Sequence, residues 1–167
     1  SFQPEAIALS EVGGRIYLAA ISSDEAALGE LGQPLSPLEL EGRSPRHLAG
    51  RGGTFALLVR EPVSSAPWIL LHDATGPRRH ALPLRVTPEA VAISPEGDRL
   101  MLGFRMAQLT LRSGETGAES ESMPSPHEGN IRSVAWSESG DRLAAVSKHT
   151  LSLWDPRDLR APVFSQR

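Results

Sequence analysis

Two acidic turns are the first residues in this chain whose types and spacing could do chemistry. Residues 94–100 read SPEGDRL, and residues 137–143 repeat the pattern as SESGDRL. Asp98 and Asp141 could act as paired carboxylates or as calcium ligands. Neither stretch has the dense alternation of acidic residues that an oxygen-ligated calcium loop needs. Because Pro and Gly at such places are typical of tight β-turns, we interpret both stretches as hairpin turns.

The other reactive side chains form no catalytic or metal-binding motif. The histidines follow neither HExxH nor another metal-ligand spacing. They are His47, His72, His80, His127 and His149. There is no G-x-S-x-G nucleophile elbow, and the absence of cysteine excludes thiolate metal sites and cysteine nucleophiles. GRGG at 50–53 lacks the Lys-Ser/Thr pair and the helix of a phosphate-binding loop, and we interpret GPRRH at 76–80 as a solvated loop. We expect no catalytic residue, no cofactor, no metal site and no enzyme activity.

Composition and charge narrow the classes of partner. The 167 residues are 40% hydrophobic, which is enough for a domain with a substantial core. The net charge of −3 is spread along the chain, so we expect neither nucleic acid nor a membrane as partner. All basic residues except Lys148 are arginine, which suggests a GC-rich, bacterial genome. The lack of cysteine is compatible with the cytoplasm, and we expect that location.

Internal repetition is the strongest feature of the sequence. VAISPEGDRLML (91–102) aligns with VAWSESGDRLAA (134–145) at an offset of 43, and with IALSEVGGRIYL (7–18) at an offset of 84. HLAGRGGTFALLV (47–59) fills the place between them. A period of about 40 residues is typical of repeat folds that stack one supersecondary unit. We divide the chain into four units: 5–43, 44–85, 86–126 and 127–167.

Each unit is predicted to consist of short strands separated by Gly and Pro turns. In the fourth unit these are IRSVAW (131–136), RLAAVS (142–147) and TLSLW (150–154), with APVF (161–164) as a fourth. Helical spacing competes only in DEAALGELG (24–32), where the glycines weaken a helix and we expect a loop or irregular strand. The pattern predicts an all-β repeat fold.

Residues 127–162 resemble a WD40 repeat. His127 stands where that family places the His of its Gly-His pair, and a strand of the form "v.sv.wsp.G..la" follows. Trp154-Asp155 is the WD dipeptide. The other units keep only the turn or a Thr-Gly ending. The resemblance implies that residues 1–167 form one segment of an all-β WD40-like β-propeller, with about four blades of four antiparallel strands.

The resemblance also implies a buried network of His, Ser or Thr, Asp and Trp that braces each blade. His127, Ser147 and Trp154 match three of those places. Where the family has the Asp, this chain has Lys148 and His149. We therefore expect the network to be incomplete.

Four units raise the question of whether the blades can close into a ring. WD40 rings usually have about seven blades, and four would leave open strand edges. We expect the chain to be part of a larger propeller, or to be completed by another chain or copy. Its start at SFQPEA, without an initiator Met, agrees with a processed chain or a piece of a larger one. An unusually small closed propeller is the third alternative.

The resemblance implies a non-enzymatic scaffold or sensor that presents its loops to a protein partner. The expected contacts are Arg105, Met106, Arg132, Lys148 and His149. The alternative is a propeller domain that gates or selects substrate in a larger hydrolase. It rests on SPEGDRL, which also resembles the strands of TolB-like and peptidase-associated propellers.

Overall fold

The computed structural model describes residues 3–76, 78–116 and 118–167, without the side chains of 78–80 and 119–121. The basic stretch expected at 76–80 therefore lies largely outside the described residues. Strands and turns make up the described ranges, and no helix in them has the length and apolar character needed to cross a membrane.

The strands form four separate antiparallel sheets, each of four strands that are consecutive in the chain. Sheet 1 contains β1 Ala6–Val12, β2 Arg15–Ile21, β3 Ala26–Glu30 and β4 Ser36–Pro37. Sheet 2 contains β5 Ser44–Arg51, β6 Thr54–Arg60, β7 Pro67–Asp73 and β8 Arg78–Pro83. Sheet 3 contains β9 Ala90–Ile93, β10 Arg99–Gly103, β11 Leu109–Ser113 and β12 Glu119–Met123. Sheet 4 contains β13 Ser133–Trp136, β14 Leu143–Val146, β15 Leu151–Trp154 and β16 Phe164–Gln166. The all-β prediction is confirmed.

The chain divides into two compact units, residues 1–86 and residues 87–167. In the first unit, sheets 1 and 2 enclose a core that includes Tyr17, Leu28, Phe55 and Leu57. Alternating side chains of β1 and β2 face this core, as expected for a strand with period two. Gly50 leaves room for the buried Phe55 ring, because an added Cβ would lie 2.6 Å from Phe55 Cε1, and it also lets β5 lie close to Ala8 of β1.

The second unit has its own core between sheets 3 and 4. Met101, Leu109, Ile131 and Trp154 are fully buried in it. An added Cβ at Gly103 would lie 2.4 Å from Ile131 Cγ2. The missing side chain therefore lets the segment that leads into β13 pack directly on β10.

Two local expectations differ from the structure. Residues 24–32 contain a regular strand, β3, whose Ala26 and Leu28 are buried toward the core. Tertiary burial of this alternating face outweighs the weak helical tendency of Ala and Leu. The fourth strand of the last unit begins at Phe164, later than the expected 161–164.

Candidate functional site

The repeated acidic turns are built in the same way. In each turn a serine hydroxyl accepts a hydrogen bond from the N–H of the arginine five residues later, at 3.0 Å in both Ser94–Arg99 and Ser137–Arg142. The same hydroxyl donates to the aspartate: Ser94 to Asp98 at 2.7 Å, and Ser137 to Asp141 at 2.9 Å. The carboxylates therefore stabilise the turns.

Both turn carboxylates line one surface cleft of about 350 Å³, although they belong to different sheets. Asp141 is held by the Ser139 and Ser137 hydroxyls, which lower its pKa, and Arg142 adds a smaller effect in the same direction. Within the described part of the chain, no three His, Asp or Glu side chains are grouped as a metal site would require. The arrangement is that of two braced hairpin turns.

A chain of hydrogen bonds runs through the interior of sheet 4. Trp154 Nε1 donates to Ser152 Oγ at 3.0 Å. Ser152 Oγ lies 2.7 Å from His127 Nε2, and His127 Nδ1 lies 3.0 Å from Ser147 Oγ. All four residues are buried, with Ser152 and Trp154 fully inaccessible.

Ser152 was not among the residues expected in this network, whereas His127, Ser147 and Trp154 were. Ser147, at the turn after β14, has its hydroxyl 3.0 Å from Nδ1 of the His127 imidazole. Ser152 supplies the link from the imidazole to Trp154. The sequence held a signal for Ser152, because residues two apart on β15 share a face and Trp154 was expected to point inward.

Burial lowers the pKa of His127, and a hydrogen bond with the Thr150 backbone opposes this to a smaller extent. The side chain is 5% exposed. The neutral imidazole, with one donor and one acceptor nitrogen, therefore suits this site.

The Asp of the WD dipeptide is on the surface rather than in this network. Asp155 accepts two hydrogen bonds from the Arg157 guanidinium, at 2.9 and 2.7 Å, which hold the pKa of Asp155 well below its usual range. Arg160 binds Asp158 in the same way, and lowers the pKa of Asp158 to about 2. Two successive Asp–Arg pairs therefore shape the turn after β15.

The expected partner contacts meet at one end of sheets 3 and 4. Arg132, Lys148 and His149 line a cleft of about 450 Å³ together with Glu89. Its other lining residues are Glu128, Gly129, Asn130 and Ile131. We call these eight residues the polar cleft.

The other two expected contacts lie on the loop between β10 and β11, beside the polar cleft. Arg105 donates from Nε to Glu89 at 2.7 Å. Met106 is 84% exposed, and the next residue, Ala107, donates its N–H to the Gly129 carbonyl at 2.6 Å. The structure thus brings all five residues into one neighbourhood.

Two left-handed residues shape this loop. Met106 and Ala107 have φ of 57° and 61°, a conformation that costs a residue with a side chain roughly 1–2 kcal/mol. Hydrogen bonds on both sides hold the loop, since Phe104 N–H donates to the Gln108 carbonyl and Ile131 N–H donates to the Phe104 carbonyl. The apolar Met106 side chain is thereby presented to solvent.

The acidic groups of the polar cleft already have cationic partners. Glu89 is paired with Arg105, and Glu128 accepts from Arg167 Nη2 at 2.7 Å. Arg132 and Lys148 are exposed and form no ion pair within the described residues. The unpaired charge of the polar cleft is therefore positive.

Sheets 1 and 4, the first and the last along the chain, each leave one apolar face exposed to solvent. Ile7, Leu9 and Ile16 of sheet 1 are 60%, 52% and 42% exposed. On sheet 4, Leu151 and Phe164 are 38% and 44% exposed. Sheet 2 differs, because β6 is buried on both faces from Thr54 to Val59.

No protein-family model and no curated protein matches this chain. Many solved structures match it, and one is a chain of the crystal structure of the mitotic checkpoint complex, with a TM-score of 0.70 and 13% sequence identity. The match covers 98% of this chain and 56% of that chain, so this chain spans little more than half of that neighbour's length. At this identity the likeness shows the fold alone. Taken with the four consecutive four-stranded sheets, it shows an all-β fold of the β-propeller type, with four four-stranded blades.

Proposed function

We propose that this protein is a non-enzymatic interaction scaffold that binds an acidic segment of a protein partner at the polar cleft. The observation that carries the proposal is the charge balance: Glu89 and Glu128 are occupied by arginines, whereas Arg132 and Lys148 are exposed and unpaired among the described residues. Carboxylates of a partner complement such a surface and would speed its association. The similar solved structure is that of a complex, which supports association with other proteins.

The loop beside the polar cleft adds an apolar contact to this charge. Met106 projects from a loop whose backbone is held by hydrogen bonds, so little backbone entropy would be lost when a partner covers it. Methionine adapts its shape to varied apolar partners. An acidic segment with an apolar residue would therefore use both features of this surface.

We propose in addition that further four-stranded blades cover the open faces of sheets 1 and 4. These faces are apolar, and it is unfavourable to leave a large apolar surface in contact with water. The 56% coverage of the similar chain supports the same idea, since that chain has length beyond the matched part. The further blades belong either to a longer form of this chain or to another chain or copy.

The polar cleft can be tested with a defined probe and with partner capture. The probe is a fluorescein-labelled peptide containing Glu-Asp-Leu-Glu, whose binding is followed by fluorescence anisotropy at low salt. The double variant Arg132→Glu/Lys148→Glu should weaken binding at least about tenfold, because two favourable ion pairs become repulsive. The matched control, Arg46→Glu/Arg85→Glu, makes the same change in net charge on exposed residues of the first unit and should bind like the wild type.

The partner-capture arm uses the whole surface. A variant with alanine at Arg105, Met106, Arg132, Lys148 and His149 is compared with the wild type in a pull-down. The proposal predicts that the proteins retained by the wild type are lost. If the same proteins are retained in equal amounts, or if the control double variant weakens the peptide as much as the cleft variant, this surface is not the binding site.

A further inference from the structure

The first unit contains an apolar pocket of about 480 Å³ that is separate from the polar cleft. It lies beside β3 and β4 and the segment that leads to β5. Its apolar lining residues are Ala26, Ala27, Leu35, Pro37, Leu38 and Leu40. We call this site the apolar pocket. Its volume falls in the range of pockets that bind ligands or partner side chains.

Local backbone geometry holds the walls of the apolar pocket in place. The strand β4 has only two residues, and the loop before it packs against Gly29, whose added Cβ would lie 3.1 Å from Leu35 Cδ2. On the other side, Glu41 and Gly42 adopt φ of 52° and 75°. This tight turn closes with a hydrogen bond from the Arg43 N–H to the Leu40 carbonyl at 2.9 Å.

Arg43 is the one cationic residue among the described residues that line the apolar pocket, and it already has partners. The Arg43 guanidinium is paired with Glu41 and lies 3.9 Å from Glu61, and it stacks over the Trp68 ring with its carbon 4.7 Å from the centroid. The Arg43 side chain is only 13% exposed. A ligand would therefore find little of this positive charge.

The remaining charge at the apolar pocket is negative. Asp24 and Glu25 both line it and are exposed. Asp24 accepts hydrogen bonds from the Ser22 and Ser23 hydroxyls, at 3.4 and 3.2 Å, and among the described residues neither Asp24 nor Glu25 forms an ion pair. The pocket thus combines an apolar surface with two carboxylates that have no cationic partner among the described residues.

We propose that the apolar pocket binds a segment of a partner protein that presents a large apolar side chain next to an arginine or lysine. The apolar side chain would lie against Leu35, Leu38 and Leu40, and the basic side chain would pair with Asp24 and Glu25. A solvent-exposed pocket of this kind takes most of its affinity from burial of the apolar residue, while the charges set specificity. This chemistry is opposite in sign to that of the polar cleft, so the two sites would engage different segments.

The test uses capped tetrapeptides and the full 167-residue chain, with binding followed by amide shifts in NMR spectra. Acetyl-Gly-Leu-Arg-Gly-amide should shift the amides of Ala26, Ala27 and Leu38. Replacing its Leu by Ala should weaken binding at least about tenfold, because the buried apolar area is lost. Replacing the Arg of the peptide by Glu should weaken binding more than replacing it by the neutral Gln.

Variants locate the site. Asp24→Asn/Glu25→Gln should weaken the Leu-Arg peptide about threefold and leave the Leu-Gln peptide unchanged. Glu39→Gln, an exposed carboxylate outside the lining residues, is the control and should have no effect. Ala27→Leu should fill the pocket and abolish binding. Circular dichroism checks that this variant is folded. If it is not, Asp24→Asn/Glu25→Gln alone locates the site.

Three outcomes would overturn the proposal. They are equal binding of the Leu-Arg and Ala-Arg peptides, an equal effect of Glu39→Gln, or binding of hexylamine as tight as that of the peptide, which would indicate a small-molecule site. Because the Arg132→Glu/Lys148→Glu variant leaves the first unit intact, it should retain the Leu-Arg peptide. Failure at one site therefore does not bear on the other.

Discussion

At the scale of residues, His127 lies inside sheet 4, where burial favours the neutral imidazole. Burial lowers its folded-state pKa below 6.5, so the unfolded chain binds the proton more readily. The stabilisation is complete above pH 6.5 and is lost as the pH falls from 6.5 toward the folded-state pKa. The carboxylates with lowered pKa values act in a separate range, below their usual 3.8.

We therefore expect the free energy of unfolding to fall by up to about 1.4 kcal/mol per pH unit below pH 6.5. Urea unfolding at pH 7.5, 6.5 and 5.5 measures this slope. His127→Gln should reduce the slope, because glutamine binds no proton in either the folded or the unfolded chain. Equal slopes for the wild type and His127→Gln would contradict the assignment.

Ser152 is the residue on which the network depends most. Ser152→Ala removes the acceptor of the Trp154 indole N–H and a partner of His127 at once. The expected loss is about 1–3 kcal/mol of unfolding free energy, because buried polar groups are left without partners. Ser133→Ala, an exposed serine on β13, is the matched control and should change stability by less than about 0.5 kcal/mol. Similar losses in the two variants would contradict the role of Ser152.

At the scale of elements, the repeated turns depend on a left-handed glycine. Gly140 has φ of 73°, and an added Cβ would meet nothing closer than 3.5 Å. Gly140→Ala therefore tests backbone strain without a clash, and we expect a loss of about 1 kcal/mol. Gly76→Ala, where φ is not positive and the nearest atom is 3.7 Å away, should be neutral in thermal unfolding. If Gly140→Ala leaves the stability unchanged, the turn relaxes around the added methyl group and does not depend on the glycine.

The turns were predictable from sequence because their Gly and Asp positions carry a local signal that needs no tertiary contact. The strand β3 was not, because Ala26 and Leu28 prefer it only when their face is buried. The apolar pocket was out of reach for a similar reason. It depends on the approach of Leu35 to Gly29 and on the paired state of Arg43, and both arise only in the folded chain.

The expected contacts at the end of sheets 3 and 4 came from the positions of loops in a repeat, and the structure places them around the polar cleft. Their role in binding stays a prediction. Sequence could not indicate which of their charges are free, since the arginines that occupy Glu89 and Glu128 are distant in the chain.

At the scale of the whole molecule, we propose that this chain is a set of propeller blades whose first and last sheets pack against further blades. A residue such as Leu9 gains about 1–2 kcal/mol when such an apolar face is covered. Several of them on each face would drive association of copies when no other blade is present.

Light scattering coupled to size-exclusion chromatography measures whether the open faces associate. The 167-residue chain should elute as an assembly whose mass is a multiple of 17.9 kDa. Leu9→Lys/Phe164→Lys, which places a charge on each open face, should shift the mass toward the monomer. A stable, monodisperse monomer of 17.9 kDa for the wild-type chain would show that sheets 1 and 4 do not need further blades.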